Sequence, residues 1–104
     1  MAGPIILGKV AVPASDTDLF ASPTSGATFS VRFVNNNASD QTIRCSISST
    51  TATAEAAGRL VPDDFTVATG DALELSGLTI DSGKFLVISA SSTDVNAIAY
   101  GWEA

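Results

Sequence analysis

Two pairs of aspartate residues are the first candidates for chemistry. Asp16 and Asp18 flank Thr17, and alternate carboxylates can share a hard cation such as calcium. This stretch lacks the further ligands and the glycine of a calcium-binding loop, so a solvated loop is the favoured interpretation. Asp63 and Asp64 are adjacent, and an extended backbone points their side chains apart, whereas an acid–base pair needs convergent carboxylates. We assign neither pair to a metal site or to catalysis.

The remaining residue types offer no other catalytic arrangement. The chain has no histidine, which excludes Ser-His-Asp and Cys-His catalysis and histidine-based metal sites. Its glycines occur singly at turns and form no phosphate-binding loop. Cys45 is the only cysteine and falls on the apolar side of an alternating run, where a thiol behaves as a small core residue. The sequence therefore predicts a protein that is not an enzyme and needs no cofactor.

Two aromatic residues near the C-terminus are candidates for binding. Tyr100 and Trp102 share the heavier face of the last apolar run, with Ile98 beside them. Such side chains can stack on a sugar ring, fill a pocket of a partner protein, or pack in a core. The sequence alone leaves these three interpretations open.

The stretch at residues 27–49 organises the elements that must hold these side chains. Phe29, Val31 and Phe33 alternate with polar residues, and the same alternation recurs around Ile43 and Cys45. Alternation with period two indicates two strands, each with one apolar face. The polar residues 35–40 between them are rich in Asn and Asp, which favour turns. We predict a β-hairpin here.

The rest of the chain predicts more short strands separated by turn signals. Gly77 is expected to bulge its strand, and residues 50–59 to form a surface loop with one turn of helix. Residues 84–90 are apolar on both parities, which is typical of a strand covered on both sides, with another subunit as one possible cover. The predicted fold class is all-β: a single antiparallel β-sandwich, jelly-roll-like, of seven to eight strands. Residues 1–104 form one domain, of which 1–12 are an extended N-terminal arm.

Composition narrows the classes of partner. A net charge of −6 and a sequence pI near 4.1 argue against nucleic acid and against anionic membranes as partners. Charged residues make up 15% of the chain, against about 25% in typical soluble domains, which favours a surface buried in an oligomer. The N-terminal sequence lacks the positive region and the long apolar core of a signal peptide. We expect synthesis and initial folding in a cytoplasm.

Four short stretches have a recognisable pattern. The longest is the predicted strand, bulge and turn at residues 71–83, and the others are residues 17–20 with Pro23 and Gly26, residues 33–36, and residues 100–103. These stretches are similar to those of small structural proteins of tailed-bacteriophage virions, among them head decoration (cement) and tail-associated proteins. The resemblance spans most of residues 17–103.

The resemblance implies a capsid decoration protein that binds the outer surface of a phage head and staples neighbouring subunits of the major capsid protein. It implies a homo-oligomer, with a trimer favoured, and residues 5–12 are the candidate gripping arm. A tail, baseplate or fibre-associated protein is the alternative. A further alternative is a carbohydrate-binding module. In that case Tyr100 and Trp102 would form a stacking platform for the sugar, and Asp16 and Asp18 would bind calcium. The candidate interface residues are Ile5, Ile6, Leu7, Val10, Leu86, Ile88, Tyr100 and Trp102.

Overall fold

A computed structural model describes residues 4–104, which form eight β-strands and one turn of 3-10 helix. The turn of helix, at Ala56–Gly58, lies between the fourth and fifth strands. The strands are β1 (Ile5–Ala11), β2 (Thr17–Ala21), β3 (Ala27–Asn35), β4 (Gln41–Ser48), β5 (Phe65–Val67), β6 (Ala72–Ile80), β7 (Phe85–Ala90) and β8 (Val95–Glu103).

The strands form two four-stranded antiparallel sheets that pack face to face. The first sheet has the order β1-β8-β3-β6 and the second has the order β2-β7-β4-β5. Strand pairing is nested, because β1 pairs with β8, β2 with β7, β3 with β6 and β4 with β5. The predicted all-β sandwich is confirmed.

The core lies between the two sheets and is built by the alternation seen in the sequence. Phe29, Val31 and Phe33 point inward from β3, and Ile43 and Cys45 point inward from β4. In addition, Phe20 packs edge to face on Phe29, with ring centroids 5.2 Å apart and an interplanar angle of 84°. Such aromatic pairs stabilise a core beyond the area that they bury.

The predicted hairpin at residues 27–49 is wrong. Strand β3 pairs with β6 and β8, whereas β4 pairs with β5 and β7, so the turn carries the chain from one sheet to the other. The buried side chain of Asn35 fixes this crossover. Its amide donates to the carbonyl of Val67 at 2.9 Å and its Oδ1 accepts from the N–H of Asn37 at 2.8 Å. A six-residue turn suits both connections, so local sequence does not distinguish them.

Strand β7 is covered on both sides, as predicted, but this chain supplies both covers. Leu86 and Ile88 face the first sheet, and Val87 on the opposite parity is also buried. Residues 49–62 cover that outer side, because the loop leaves β4 and is bonded to Asp18 on β2, across β7. The predicted turn of helix occurs in this loop, at Ala56–Gly58.

Both edge strands of the first sheet contain a register shift, between Ile6 and Gly8 in β1 and around Gly77 in β6. Gly77 has φ +70° inside β6, where the register with β3 shifts, so the predicted bulge is confirmed. Of the segment predicted as an arm, residues 5–11 form the edge strand β1, paired with β8 along its length. Val12 follows as a buried residue. Residues 1–3 lie outside the described part of the chain.

Candidate interaction surface

The outer sides of the two sheets are not equivalent. Residues 49–62 cover part of the outer side of the second sheet, whereas no segment among residues 4–104 crosses the outer side of the first sheet. We call the latter the open face. Strand register assigns to it Ile6, Lys9, Ala11, Thr28, Ser30, Arg32, Val34, Ala72, Glu74, Thr79, Asn96, Ile98, Tyr100 and Trp102.

Large apolar side chains are exposed on the open face. Trp102 is 49% exposed and Ile6 is 57% exposed. Ile6 is the register partner of Tyr100, and Tyr100 lies two residues from Trp102 on the same side of β8. Neighbouring side chains on one side of a sheet contact each other directly. These residues therefore form one apolar patch, which is the usual sign of a contact surface.

A hydrogen bond holds Tyr100 flat against the sheet. Its hydroxyl donates to Oε1 of Glu74 on β6 at 2.9 Å, and Ser30 on β3 lies between the two strands. The bond to the Glu74 carboxylate raises the pKa of Tyr100 above its ordinary value, because it stabilises the protonated phenol. The ring is thus fixed in place before any partner binds.

Two cations lie on the open face outside any ion pair of the described chain. Lys9 and Arg32 are exposed and flank Ile98, one on each neighbouring strand. They line a shallow groove of about 460 Å³ together with Ala11, Val34 and Asn96. By contrast, Arg44 and Arg59 on the other side of the molecule are each paired with an aspartate. The open face therefore combines apolar side chains with unneutralised positive charge.

The predicted interface residues separate into three groups. Ile6, Tyr100 and Trp102 meet on the open face, and Ile5 lies at the exposed start of β1. Leu7 and Val10 are half-buried and pack against the core. Leu86 and Ile88 are fully buried between the sheets, so the folded chain presents neither side chain to a partner.

Asp16 and Asp18 hold the covering loop of the second sheet. Asp18 accepts hydrogen bonds from the hydroxyl of Thr51 and from the N–H of Ala52, the latter at 2.8 Å. Asp16 accepts from the N–H of Ala54 at 3.2 Å. Asp18 lies on β2 of the second sheet and Asp16 directly before it, on the opposite side of the sandwich from Tyr100 and Trp102. The two parts of the carbohydrate-binding alternative are therefore not brought together.

The other acidic candidates are engaged separately. Arg59 binds Asp63 at 2.6 Å, and Arg44 binds both carboxylate oxygens of Asp64 at 3.0 and 3.2 Å. The Arg44 guanidinium lowers the pKa of Asp64. No group of three or more His, Cys, Asp or Glu residues within residues 4–104 is arranged to hold a metal ion. Nor does any helix in that range have the length and apolarity to cross a membrane.

Comparison of the chain with protein-family models, curated proteins and solved structures found no match. The geometry of the chain therefore carries the functional argument.

Sequence reasoning missed the charged residues of this surface. Lys9, Arg32 and Glu74 were not among the candidate residues, although each occupies the outward parity of its strand. The signal was available in the alternation of β3, where Arg32 stands between Val31 and Phe33. What the sequence lacked was the strand order, which places the three residues in one row.

Proposed function

We propose that this protein is a virion structural protein that acts as a capsid decoration (cement) protein of a tailed phage. In this role it binds the outer surface of the head as a homo-oligomer and staples neighbouring subunits of the major capsid protein. It is made in the host cytoplasm, uses no cofactor and performs no catalysis.

The observation that carries the proposal is the open face, with Trp102 and Ile6 exposed beside Tyr100. A free monomer leaves this apolar patch in water, whereas contact with another protein chain removes it from water, which favours assembly. A protein that binds only the assembled shell stabilises that shell by mass action. Binding of this kind requires a rigid surface and no reactive group.

Strand order supports a finer description of the fold. The nested pairing, with orders β1-β8-β3-β6 and β2-β7-β4-β5, is the arrangement expected of an eight-stranded jelly roll. Viral capsid domains and lectins both use this architecture, so it supports a binding or structural role without choosing between them.

The N-terminal segment remains our candidate for gripping the shell. Strand β1 is an edge strand, since only β8 pairs with it, and an edge can add a strand from another protein. Deletion of residues 1–12 would also remove β1 from the sheet. The sharper test is deletion of residues 1–4 combined with Ile5→Ser, which leaves most of β1 paired. Undiminished binding of this variant to particles would exclude residues 1–5 from the contact, and undiminished binding after deletion of residues 1–12 would contradict the arm.

Immunogold electron microscopy tests the proposal as a whole. An antibody to this chain is applied to intact particles of the phage that encodes it. Label spread over the heads is the expected result. Label confined to the tail would replace the decoration role with that of a tail, baseplate or fibre-associated protein. Particles without label would contradict a virion role.

A further inference from the structure

We propose that the open face binds the open face of a second copy of this chain, around a two-fold axis that runs parallel to the strands between β8 and β3. This inference rests on the homo-oligomer of the proposed function and specifies its contact. In place of the trimer that the resemblance favours, it gives a symmetric pair. In such an interface every contact occurs twice: if residue i of one copy contacts residue j of the other, then residue j of the first copy contacts residue i of the second.

The charges across the middle of the open face select this axis. One row of register partners runs from Lys9 on β1 through Ile98 and Arg32 to Glu74 on β6. A two-fold axis parallel to the strands exchanges β1 with β6, so Lys9 of one copy lies opposite Glu74 of the other. The Tyr100 hydroxyl occupies Oε1 of Glu74, and Oε2 is left to accept from the incoming ammonium group.

The alternative axis is electrostatically unfavourable. A two-fold axis that crosses the strands would place Lys9 against Lys9 and Arg32 against Arg32. Like charges brought together at an interface repel each other and weaken the association. In the favoured arrangement Arg32 lies opposite the apolar Ile98 and keeps Glu74 as its own register neighbour on β6.

Side-chain size agrees with the same axis. Trp102 on β8 has the small Thr28 as its register partner on β3. Exchange of β8 and β3 places each Trp102 over Thr28 of the other copy, so a large side chain meets a small one twice. The hydroxyl of Thr28 also supplies an acceptor for the indole N–H, which a buried tryptophan needs.

The area of the face reaches the lower limit for a biological interface. Four strands spaced about 4.8 Å apart, each about nine residues long at about 3.3 Å per residue, cover roughly 570 Å². Two such faces bury about 1,100 Å², which exceeds the roughly 1,000 Å² expected of a biological interface. Because sheets pack aligned to within about 30°, the long stem of Lys9 is needed to reach Glu74 at the margin.

Charge reversal with rescue tests the pairing on the full chain. Native mass spectrometry and sedimentation equilibrium are applied to the wild type, Lys9→Glu, Glu74→Lys and the double variant. The wild type should have twice the chain mass of 10.6 kDa. Each single reversal turns two attractive contacts into two repulsive ones and should weaken dimerisation by about tenfold or more. The double variant restores opposite charges and should recover most of the affinity.

Matched controls separate the contact from net charge and from folding. Lys84→Glu and Asp63→Lys make the same changes of charge away from the open face, and both should dimerise as the wild type does. Circular dichroism should show that all six proteins are folded. A wild type that stays monomeric, a trimer, or a dimer that neither reversal weakens would overturn the pairing.

The result of the immunogold experiment is independent of the result of the dimerisation experiment. Labelled heads with a monomeric or trimeric protein would overturn the pairing and leave the virion role standing. A dimer weakened and rescued as expected, with no label on particles, would overturn the virion role and leave the pairing standing.

Discussion

The hydroxyl of Tyr100 donates to Oε1 of Glu74 at 2.9 Å, although β3 lies between their strands. The phenol ring is therefore laid across the sheet, and it links β8 to β6 in the middle of the open face. This contact prepares the surface on which the proposed function depends. It also gives a spectroscopic signal, because Tyr100 is the only tyrosine in the chain.

Loss of the Glu74 charge should lower the pKa of Tyr100. The carboxylate stabilises the protonated phenol, so in the wild type the pKa lies above the ordinary value of 10.0. Ultraviolet titration of tyrosinate should therefore show Glu74→Gln ionising at lower pH than the wild type. Glu103→Gln removes an equal charge further along β8 and should leave the titration nearly unchanged. Identical titrations of the wild type and Glu74→Gln would contradict the contact.

Cys45 should be inert in the folded protein. Burial raises the pKa of its thiol to about 12, because a thiolate in the core loses hydration. An aromatic disulfide reagent should react with the unfolded chain at once, and with the folded chain only as fast as it opens. Rapid reaction of folded protein at neutral pH would show that the sheets are not packed at β4.

The same thiol makes stability depend on pH in the alkaline range. Its pKa is raised on folding from 9.0 to about 12, so its contribution is complete below pH 9 and is lost as the pH rises toward 12. Denaturant titrations of the wild type should show this decline. Cys45→Ala, which has no ionisable group there, should decline less over that interval, and an equal decline would assign the effect to other groups.

The hydrogen bonds of Asp18 should be worth a measurable part of the stability. Asp18→Ala leaves the exposed hydroxyl of Thr51 and N–H of Ala52 to water, and should lower the free energy of unfolding by about 0.5–1.5 kcal/mol. Proteolysis within residues 49–62 should become faster. Asp81→Ala, in an exposed turn, should change the stability by less than about 0.5 kcal/mol.

Because the Asp18 carboxylate already binds the loop, added calcium should not shift the midpoint of thermal unfolding. A clear rise of the midpoint would restore the interpretation of Asp16 and Asp18 as a metal site.

A methyl group at Gly58 should disturb the edge of the second sheet. A Cβ at this position would overlap the carbonyl oxygen of Ile47, which is backbone and cannot rotate away. Gly58→Ala should therefore lower the free energy of unfolding by about 1–3 kcal/mol, as overpacking does elsewhere. Ala57→Ser, an exposed neighbour in the same turn of helix, is the control and should be nearly neutral. Equal stability of the two variants would show that the loop shifts freely.

Alternation of apolar and polar residues was sufficient to predict the strands and the fold class. Phe29, Val31 and Phe33 gave β3 its inward face, and the apolar run at residues 84–90 correctly indicated a strand covered on both sides. Both features depend on period-two geometry, which is local. The turn chemistry at Gly77 was local as well, and the bulge lies there.

Strand order was beyond the reach of local pattern. The turn at residues 35–40 has the same composition whether it closes a hairpin or crosses between sheets, and the crossover depends on the contact of Asn35 with Val67, 32 residues away. The second cover of β7 was likewise this chain's own loop rather than another subunit. Consequently Leu86 and Ile88 were expected at an interface and lie in the core, whereas Lys9 and Glu74 were overlooked.

The most direct test of the claim that the open face binds another protein chain is the fluorescence of Trp102 over a dilution series. Trp102 is the only tryptophan and is 49% exposed in the single chain. As protein concentration rises, its emission should move to shorter wavelength and its quenching by acrylamide should fall, in parallel with the increase in mass measured by sedimentation. Emission that stays that of an exposed indole while the mass increases would place the contact elsewhere and contradict the account.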